Sequence, residues 1–536
     1  MSFISILFDD PAEGKRAYKA LQPSFFIDLN LDQIIDSITA RWSEYDLKPF
    51  FYFKQNNIDS IYYRHEIFHD LENPDLYNHV KVFAEKMREV KEYLNLIEKF
   101  YYEQQKEIWS LYTAEIYCNA VKNFAHDLIS STLKSKGFLQ LKEYLINYSA
   151  SNTFIKLDEK VNKIKTDLAK VKYRIIIRDT SFTVQDYEEG IDYSFVIEKT
   201  FAKFRQRAVK DYKVEYKSKP EDMNHIEAQI LDFVAQLNPE LFLRLENFFK
   251  ENRNQPNGQA GFVDETIAAF DREIHFYISY LDYIKKFKNN GICQPSGKLQ
   301  FCYPQVISSP AEARIENSFG KEIYNYEGFD LALAQKLFNS NDNIVCNDFY
   351  LRDKERIIVV TGPNQGGKTT FARTFGQLHY LANLGCPVPG KEARLYFYDR
   401  LFAQFERPEK VEDLRGKLED DLMRVNTILE KATPDSIIIM NEIFNSTTLQ
   451  DMTFLSKKIL EKIIELDSLC VWVTFVDELT LLDKKIVSMT SMVVHDNPTE
   501  RTFKIIRRPA DGLAYAMAIA EKYRLTYNCI KERINS

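Results

Sequence analysis

The chain has 536 residues, enough for two to four domains with large buried cores. Hydrophobic residues make up 45% and charged residues 28%, an ordinary balance for a soluble fold. The formal net charge of −7 excludes a wholly basic nucleic-acid coat but leaves room for a local basic patch.

Seven cysteines, without a C-x-x-C or a His/Cys cluster, favour a reducing compartment and no structural zinc. The opening Met1-Ser2-Phe3-Ile4-Ser5-Ile6-Leu7-Phe8 meets Asp9 and Asp10 too soon for a signal peptide. No apolar run approaches membrane-spanning length, so a cytoplasmic protein with no membrane partner is expected.

Residues 1 to about 80 are aromatic-rich, and Leu29 to Ile35 starts a helix with Asn30 or Asp32 near its cap. From about 80 to 172 the pattern is helical, with one clear break at Lys136-Gly137, as in a bundle or an extended arm. Tyr173 to Val184 is β-like and rich in β-branched residues. It opens a small inserted module at 173–220. The second half of that module carries Lys199, Lys203, Arg205, Arg207, Lys210, Lys213, Lys217 and Lys219, with Phe201, Phe204, Tyr212 and Tyr216 between them. Such cations can neutralise backbone phosphates without reading sequence; a solvated lysine-rich face is the plainer alternative. Helical pattern returns from Asn224 to Asn252, a flexible loop follows at Asn252 to Gln259, and a last long helix runs from Val263 to Asn289. Its stripe Ile267, Phe270, Ile274, Ile278, Leu281 and Ile284 packs into a bundle on this reading. Pro295 to Pro310 forms a boundary, and from about 320 the order strand, loop, helix, strand, helix, strand predicts a βαβ-type parallel sheet.

Two stretches of that last segment carry chemistry. Ile357 to Val360 reads as a buried parallel strand, and Gly362-Pro363-Asn364-Gln365-Gly366-Gly367-Lys368-Thr369-Thr370 after it fits G-x-x-x-x-G-K-[ST]. The glycines let the backbone curl so that N–H groups point at phosphates, and the helix starting at Lys368 adds its positive end. Lys368 would reach the β- and γ-phosphates and Thr369 would take one position on Mg²⁺, which makes this a nucleotide site. Ser436 to Glu442 is a second apolar strand with a polar end. Glu442 is placed to orient an attacking water, whereas Asn441 stands where a metal-binding Asp is usual. Ser446, Thr447 and Thr448 precede a helix that they would cap, and they could also bind a phosphate held by a second subunit. Met492 to His495 and Thr502 to Ile506 suggest a hairpin, and Gly512 to Ala520 begins a closing helix.

The loop closely resembles the T-G-P-N-M-G-G-K-S-T loop of the MutS family of DNA mismatch-repair ATPases. Asn441-Glu442-Ile443 with Ser446-Thr447-Thr448 is similar to the family's D-E-I-G-R-G-T-S-T. Leu384 to Pro389 is similar to its I-G-S-Y-V-P, Pro509 to Tyr515 to its P-G-A-A-x-x-S-Y-G, and Asn347 stands where the family approaches the adenine. A weaker likeness to R-Q-x-A-V-x-x-L lies at Arg64 to Leu71.

The resemblance implies a multidomain α and α/β architecture. A helical core and lever bundle (1–172, returning at 221–319) would carry an inserted β-rich clamp at 173–220. An ABC-like P-loop ATPase domain with a mostly parallel sheet would follow at 320–536. It also implies ATP and Mg²⁺ as cofactors, double-stranded or branched DNA as partner, and a homodimer through the ATPase domains, with Ser446 to Thr448 completing the neighbouring site. The mismatch readers of the family begin with a domain bearing F-x-E. The chain opens directly on the core, so direct mismatch reading is not expected. Asn441 replaces the Asp, Thr474-Phe475 replaces the family's T-H, and Gly416-Lys417 replaces its S-T. The pocket is thus expected to bind ATP with altered hydrolysis. The alternative is a nucleotide-gated structural or protein-interaction module with little or no turnover. A small-molecule kinase or GTPase is a third reading, without a guanine-reading N-K-x-D to support it.

Overall fold

A computed structural model describes the chain apart from residues 1–2, 4, 180, 188–195, 198, 201–222, 254–260, 291, 295–296, 309–320, 341, 407–415, 495–496, 511–522, 524 and 536. It divides into two compact units. One comprises Met1–Phe3, Leu71–Leu133 and Phe138–Asp271; the other Ile4–Asp70, Lys134–Gly137 and Arg272–Ser536.

The first unit is mostly helical. Pro74–Ile97 and Glu103–Ser130 form an antiparallel pair. Ring contacts step along it, from Tyr93–Trp109 at 5.1 Å to a stacked Phe83–Phe124 at 4.4 Å. The expected helical run after Asn224 is two helices, His225–Leu237 and Pro239–Glu251, because Pro239 has no N–H to continue the first. Tyr173–Arg178 and Ser181–Asp186 pair as an antiparallel hairpin, in agreement with the β-like composition. The rest of the inserted module lies almost wholly outside the described residues, including Lys203, Arg205, Arg207, Lys210 and Lys213. Lys199 is described and exposed.

Lys136-Gly137 does not break a helix but opens one, Lys136–Ser149. Its glycine is there for space: a Cβ on Gly137 would lie 2.7 Å from the Tyr63 hydroxyl and 3.0 Å from Ile6 and Ile67. The long helix Glu265–Asn290 is likewise more enclosed than a one-sided stripe predicts. Every residue from Glu273 to Tyr280 is buried.

The second unit is built on a six-stranded sheet. Its strands are β1 (Ile357–Thr361), β2 (Leu401–Phe405), β3 (Ile437–Asn441), β4 (Leu469–Val473), β5 (Ile486–Val494) and β6 (Asn497–Arg507), in the order β2-β3-β4-β1-β5-β6. The first five run parallel and β6 folds back antiparallel on β5, the hairpin expected from sequence. Strands β1, β3 and β4 are buried at every position, since helices cover both faces. One face places Ile357, Val359, Ile438, Met440, Cys470 and Trp472 against α2 (Lys417–Lys431) and α3 (Leu449–Leu466). The helix after the loop, α1 (Lys368–Asn383), covers the other face. A Cβ on its Gly376 would meet both Ile439 and Leu29 at 2.7 Å.

Residues 295–310, expected as a boundary, contain short strands at Gly297–Lys298, Phe301–Cys302 and Gln305–Ile307 that join small sheets. The expected closing helix at Gly512 to Ala520 lies outside the described residues. Cys346 is disulfide-bonded, unlike Cys118, Cys302, Cys386 and Cys470. Spacing without a C-x-x-C pattern gave no sign of that bond, because chain crossings, not sequence neighbours, bring such sulfurs together. Among the described residues no helix is long and apolar enough to cross a membrane.

Candidate nucleotide-binding site

The chain runs from β1 at the sheet centre out to β2, returns through β3 to β4, and crosses to β5 on the other side of β1. The carboxyl ends of strands at such a reversal form a crevice where ligands bind in open α/β sheets. The loop Gly362 to Gly367, Glu442 after β3 and Phe475 after β4 all stand there.

The loop takes its shape from its glycines and from β5. Gly362 and Gly367 have φ of +114° and +91°, a region costly to side-chain-bearing residues. Gly366 is required for space: a Cβ would lie 2.1 Å from Ser491 Oγ, which donates to the Gly366 carbonyl at 2.7 Å.

Lys368 is buried, with 3% of its side chain exposed. Its Nζ donates to the carbonyls of Gly362 (3.0 Å) and Pro363 (3.1 Å) and forms an ion pair with Glu442 Oε1 at 3.6 Å. The Phe475 ring closes over it, with its centroid 4.4 Å from Nζ. Burial pushes the Lys368 ammonium below the usual lysine range, and Glu442 opposes the shift. Glu442 sits at φ 50° and is anchored by its N–H on Val473 O at 3.0 Å. Asn441 is 5% exposed, and its Oδ1 has no hydrogen-bond partner among the described residues. A buried acceptor left alone costs about 1–3 kcal/mol, so this oxygen fits a site that a ligand shell completes. Among the described residues no cluster of three His, Cys, Asp or Glu could hold a metal alone.

Asn347 is committed to the hairpin: its Oδ1 accepts from Ile505 N at 2.8 Å and its Nδ2 donates to Phe503 O at 3.1 Å. Thr448 caps α3, its Oγ1 accepting from Asp451 N at 3.2 Å, and Ser446 is exposed beside it. Thr369 and Thr370 occupy the first turn of the loop helix. Sequence reasoning missed three residues. Ser491 braces Gly366 as described. Arg501 on β6 donates from Nε to Asn364 O at 3.1 Å. Asp421 on α2 accepts from Phe444 N at 3.4 Å and Gln404 Nε2 at 3.2 Å, which steadies the turn bearing Glu442. Burial pushes the Asp421 carboxyl above its usual range, opposed by these two donors. Asp421 had a signal: it interrupts the apolar spacing Leu418, Leu422, Val425 on the core face of α2.

The family profile for MutS domain V matches residues 358–533. The DNA mismatch repair protein MutS of Halalkalibacterium halodurans is 29% identical over 197 residues, 36% of this chain and 23% of the relative. The same-named protein of a Thermotoga species (strain RQ2) is 28% identical over 221 residues, 40% and 28% of the two chains. That of Orientia tsutsugamushi is 27% identical over 232 residues, 42% and 25%. The matched segment thus spans about a quarter of these relatives' length. It contains the loop, Glu442 and the hairpin described above, and over this domain V segment the chain is similar to the MutS family.

Proposed function

We propose that the chain binds ATP with Mg²⁺ at the Gly362–Thr370 loop and couples ATP binding and slow hydrolysis to its grip on DNA. The observation that carries this reading is Lys368 held 3.6 Å from Glu442 at the carboxyl ends of β1 and β3, inside a segment matching MutS domain V. On this reading Lys368 leaves the Gly362 and Pro363 carbonyls to bind the terminal phosphates, and the loop amides with the Lys368–Asn383 helix end hold the rest. Thr369 and Asn441 would hold Mg²⁺, which when bound neutralises phosphate charge. Glu442 orients the water.

Residues 320–536 would then act as an ABC-like ATPase domain and pair as a homodimer, with Ser446, Thr447 and Thr448 of one copy completing the site of the other. Residues 1–172 and 221–319 would be core and levers, and 173–220 a clamp on double-stranded or branched DNA through Lys199, Lys203, Arg205, Arg207, Lys210 and Lys213. The relatives are named for mismatch repair. For this chain we propose DNA binding in repair or recombination.

A second reading, a nucleotide-gated structural or protein-interaction module, draws on Asn441, which lacks a carboxylate's charge, and on Phe475, which covers Lys368. Steady-state ATP turnover with and without duplex or branched DNA, beside Glu442→Ala and Lys368→Ala, separates the two. DNA-stimulated turnover lost in Glu442→Ala supports the coupled ATPase. ATP binding without turnover above that variant supports the gated module, and unchanged ATP affinity in Lys368→Ala overturns both.

A further inference from the structure

At the other end of the sheet from the nucleotide loop, the second unit holds a cavity of about 590 Å³. Its volume falls within the roughly 300–1,000 Å³ of small-molecule sites. Phe397, Tyr398 and Asp399 lead into β2 and Asp435 leads into β3, so the cavity lies where those strands start and the nucleotide site where they end. Another part of the wall comes from Lys54 to Asp59, which runs into the first turn of the helix Ile58–Leu71.

Lys54 gives the cavity its chemistry. It is half-buried, with its Nζ 5.1 Å from the Phe397 ring centroid and 5.5 Å from that of Tyr398. Its hydrogen bond to the Gln55 carbonyl is long, 3.4 Å, and no carboxylate among the described residues stands within ion-pair distance of it. Burial pushes its pKa below the usual lysine range, opposed by the charges of Asp399 and Glu13. Two of the carboxylates in the wall are engaged by donors of their own. Asp399 accepts from Arg400 N (2.6 Å), Thr433 Oγ1 (2.8 Å) and Ser436 Oγ (2.8 Å), and Asp435 accepts from the Tyr396 hydroxyl. The third, Asp59, is exposed in the first turn of the helix. Tyr398 is 1% exposed, and its hydroxyl has no hydrogen-bond partner among the described residues. An unpaired buried hydroxyl in such a wall is a group that a bound molecule can complete. An ammonium partly withdrawn from water, beside two ring faces and the positive end of a helix, attracts an anion with a flat apolar body.

We propose that this cavity is a second ligand site, for a small organic anion whose charge meets Lys54 and the start of the helix Ile58–Leu71 and whose flat body lies along Phe397 and Tyr398. The inference goes beyond the nucleotide reading and does not depend on it.

The test is calorimetric titration of phenyl phosphate, benzoate and inorganic phosphate into the full chain, as wild type, Lys54→Met, Lys54→Arg, Asp59→Asn and Lys368→Ala. At least one of the two aromatic anions is expected to bind saturably, about tenfold or more tighter than inorganic phosphate, because its ring is buried. Which of the two does so tells a phosphate ester from a carboxylate. Lys54→Met should weaken that binding about tenfold or more, as when a charged hydrogen bond is lost, and Lys54→Arg should keep most of it. Asp59→Asn should tighten it about two- to fivefold at low salt. Lys368→Ala should bind the anion as the wild type does. In the wild type the anion should also slow acetylation of Lys54 by acetic anhydride, followed by peptide mass spectrometry, a readout that needs no variant. Absence of saturable binding by both aromatic anions, equal binding in Lys54→Met, weaker binding in Asp59→Asn, or an unprotected Lys54 each overturns the proposal. Loss of binding in Lys368→Ala would place the anion at the nucleotide loop and overturn it as well.

Discussion

Phe475 sets the character of the site. Its ring lies 4.4 Å from the Lys368 ammonium, which also holds two loop carbonyls. A desolvated cation–ring contact is worth about 2 kcal/mol, and a phosphate must displace or share it. Phe475 can neither donate nor accept a hydrogen bond beside a reacting phosphate. Phe475→His is therefore expected to raise ATP turnover by about tenfold or more, the scale of one added polar contact to developing charge. Unchanged turnover with unchanged ATP affinity would show that Phe475 is not what limits the reaction. Lys368 and Thr369 stood out as candidates in sequence because local backbone geometry fixes their spacing from the glycines, and Glu442 because it ends an apolar strand. Ser491 and Arg501 could not be placed at the loop, since their contacts Gly366 and Asn364 lie 125 and 137 residues away in sequence.

At the scale of elements, the loop is a joint between β1 and β5. The two strands run parallel, Thr361 opposite Thr490, so that Ser491 follows directly under the loop. Gly366→Ala would drive a methyl to within 2.1 Å of Ser491 Oγ. It is expected to cost about 1–3 kcal/mol, read as a lower unfolding midpoint in urea, together with loss of ATP binding. Adding Ser491→Gly to that variant should recover part of both; no recovery would place the strain elsewhere. The strands themselves were plain in the sequence: Ile357–Val360, Ile437–Ile439 and Cys470–Val473 are apolar runs because both faces are covered. Helix ends were harder, as at Lys136-Gly137, where the glycine answers to Tyr63 and Ile67 rather than to its own helix.

In the second unit as a whole, the loop helix is enclosed by chain from far apart in sequence. Gln377 Nε2 donates to Leu29 O (2.8 Å) and Asp330 Oδ1 (3.1 Å), Tyr380 donates to Phe51 O (2.6 Å), and Arg64 Nη1 donates to Leu384 O (2.6 Å). His379 is fully buried there, its Nδ1 2.8 Å from Phe375 O, and burial lowers its pKa to about 4. His65, also in this unit, is lowered to about 4 by burial and by neighbouring His69. A histidine with a depressed folded pKa adds stability that is complete above about pH 6.5 and lost as pH falls towards 4, since only the unfolded chain takes up the proton. The full effect is up to about 3 kcal/mol per residue. Between pH 7.5 and 5 the wild-type melting temperature should fall, and in His379→Asn the fall should be smaller by roughly 2–4 °C. Identical slopes would mean that His379 takes up a proton in the folded state.

What the sequence by itself determined is local and repetitive: the period-2 and continuous apolar runs that make strands, and the fixed spacing of Gly362, Gly367, Lys368 and Thr369. These features follow from backbone geometry over a few residues and need no knowledge of distant contacts. Only the tertiary structure decided what surrounds them. It brought β6 over the loop to set Arg501 beside Asn364, aligned β5 so that Ser491 fills the space left by Gly366, and laid Phe475 on Lys368. It also enclosed a helix carrying Gln377, His379 and Asn383 on faces that amphipathic patterning would leave to solvent. The physical reason is the same in each case: side-chain partners across strands are fixed by sheet order and register, which arise from the packing of the whole unit.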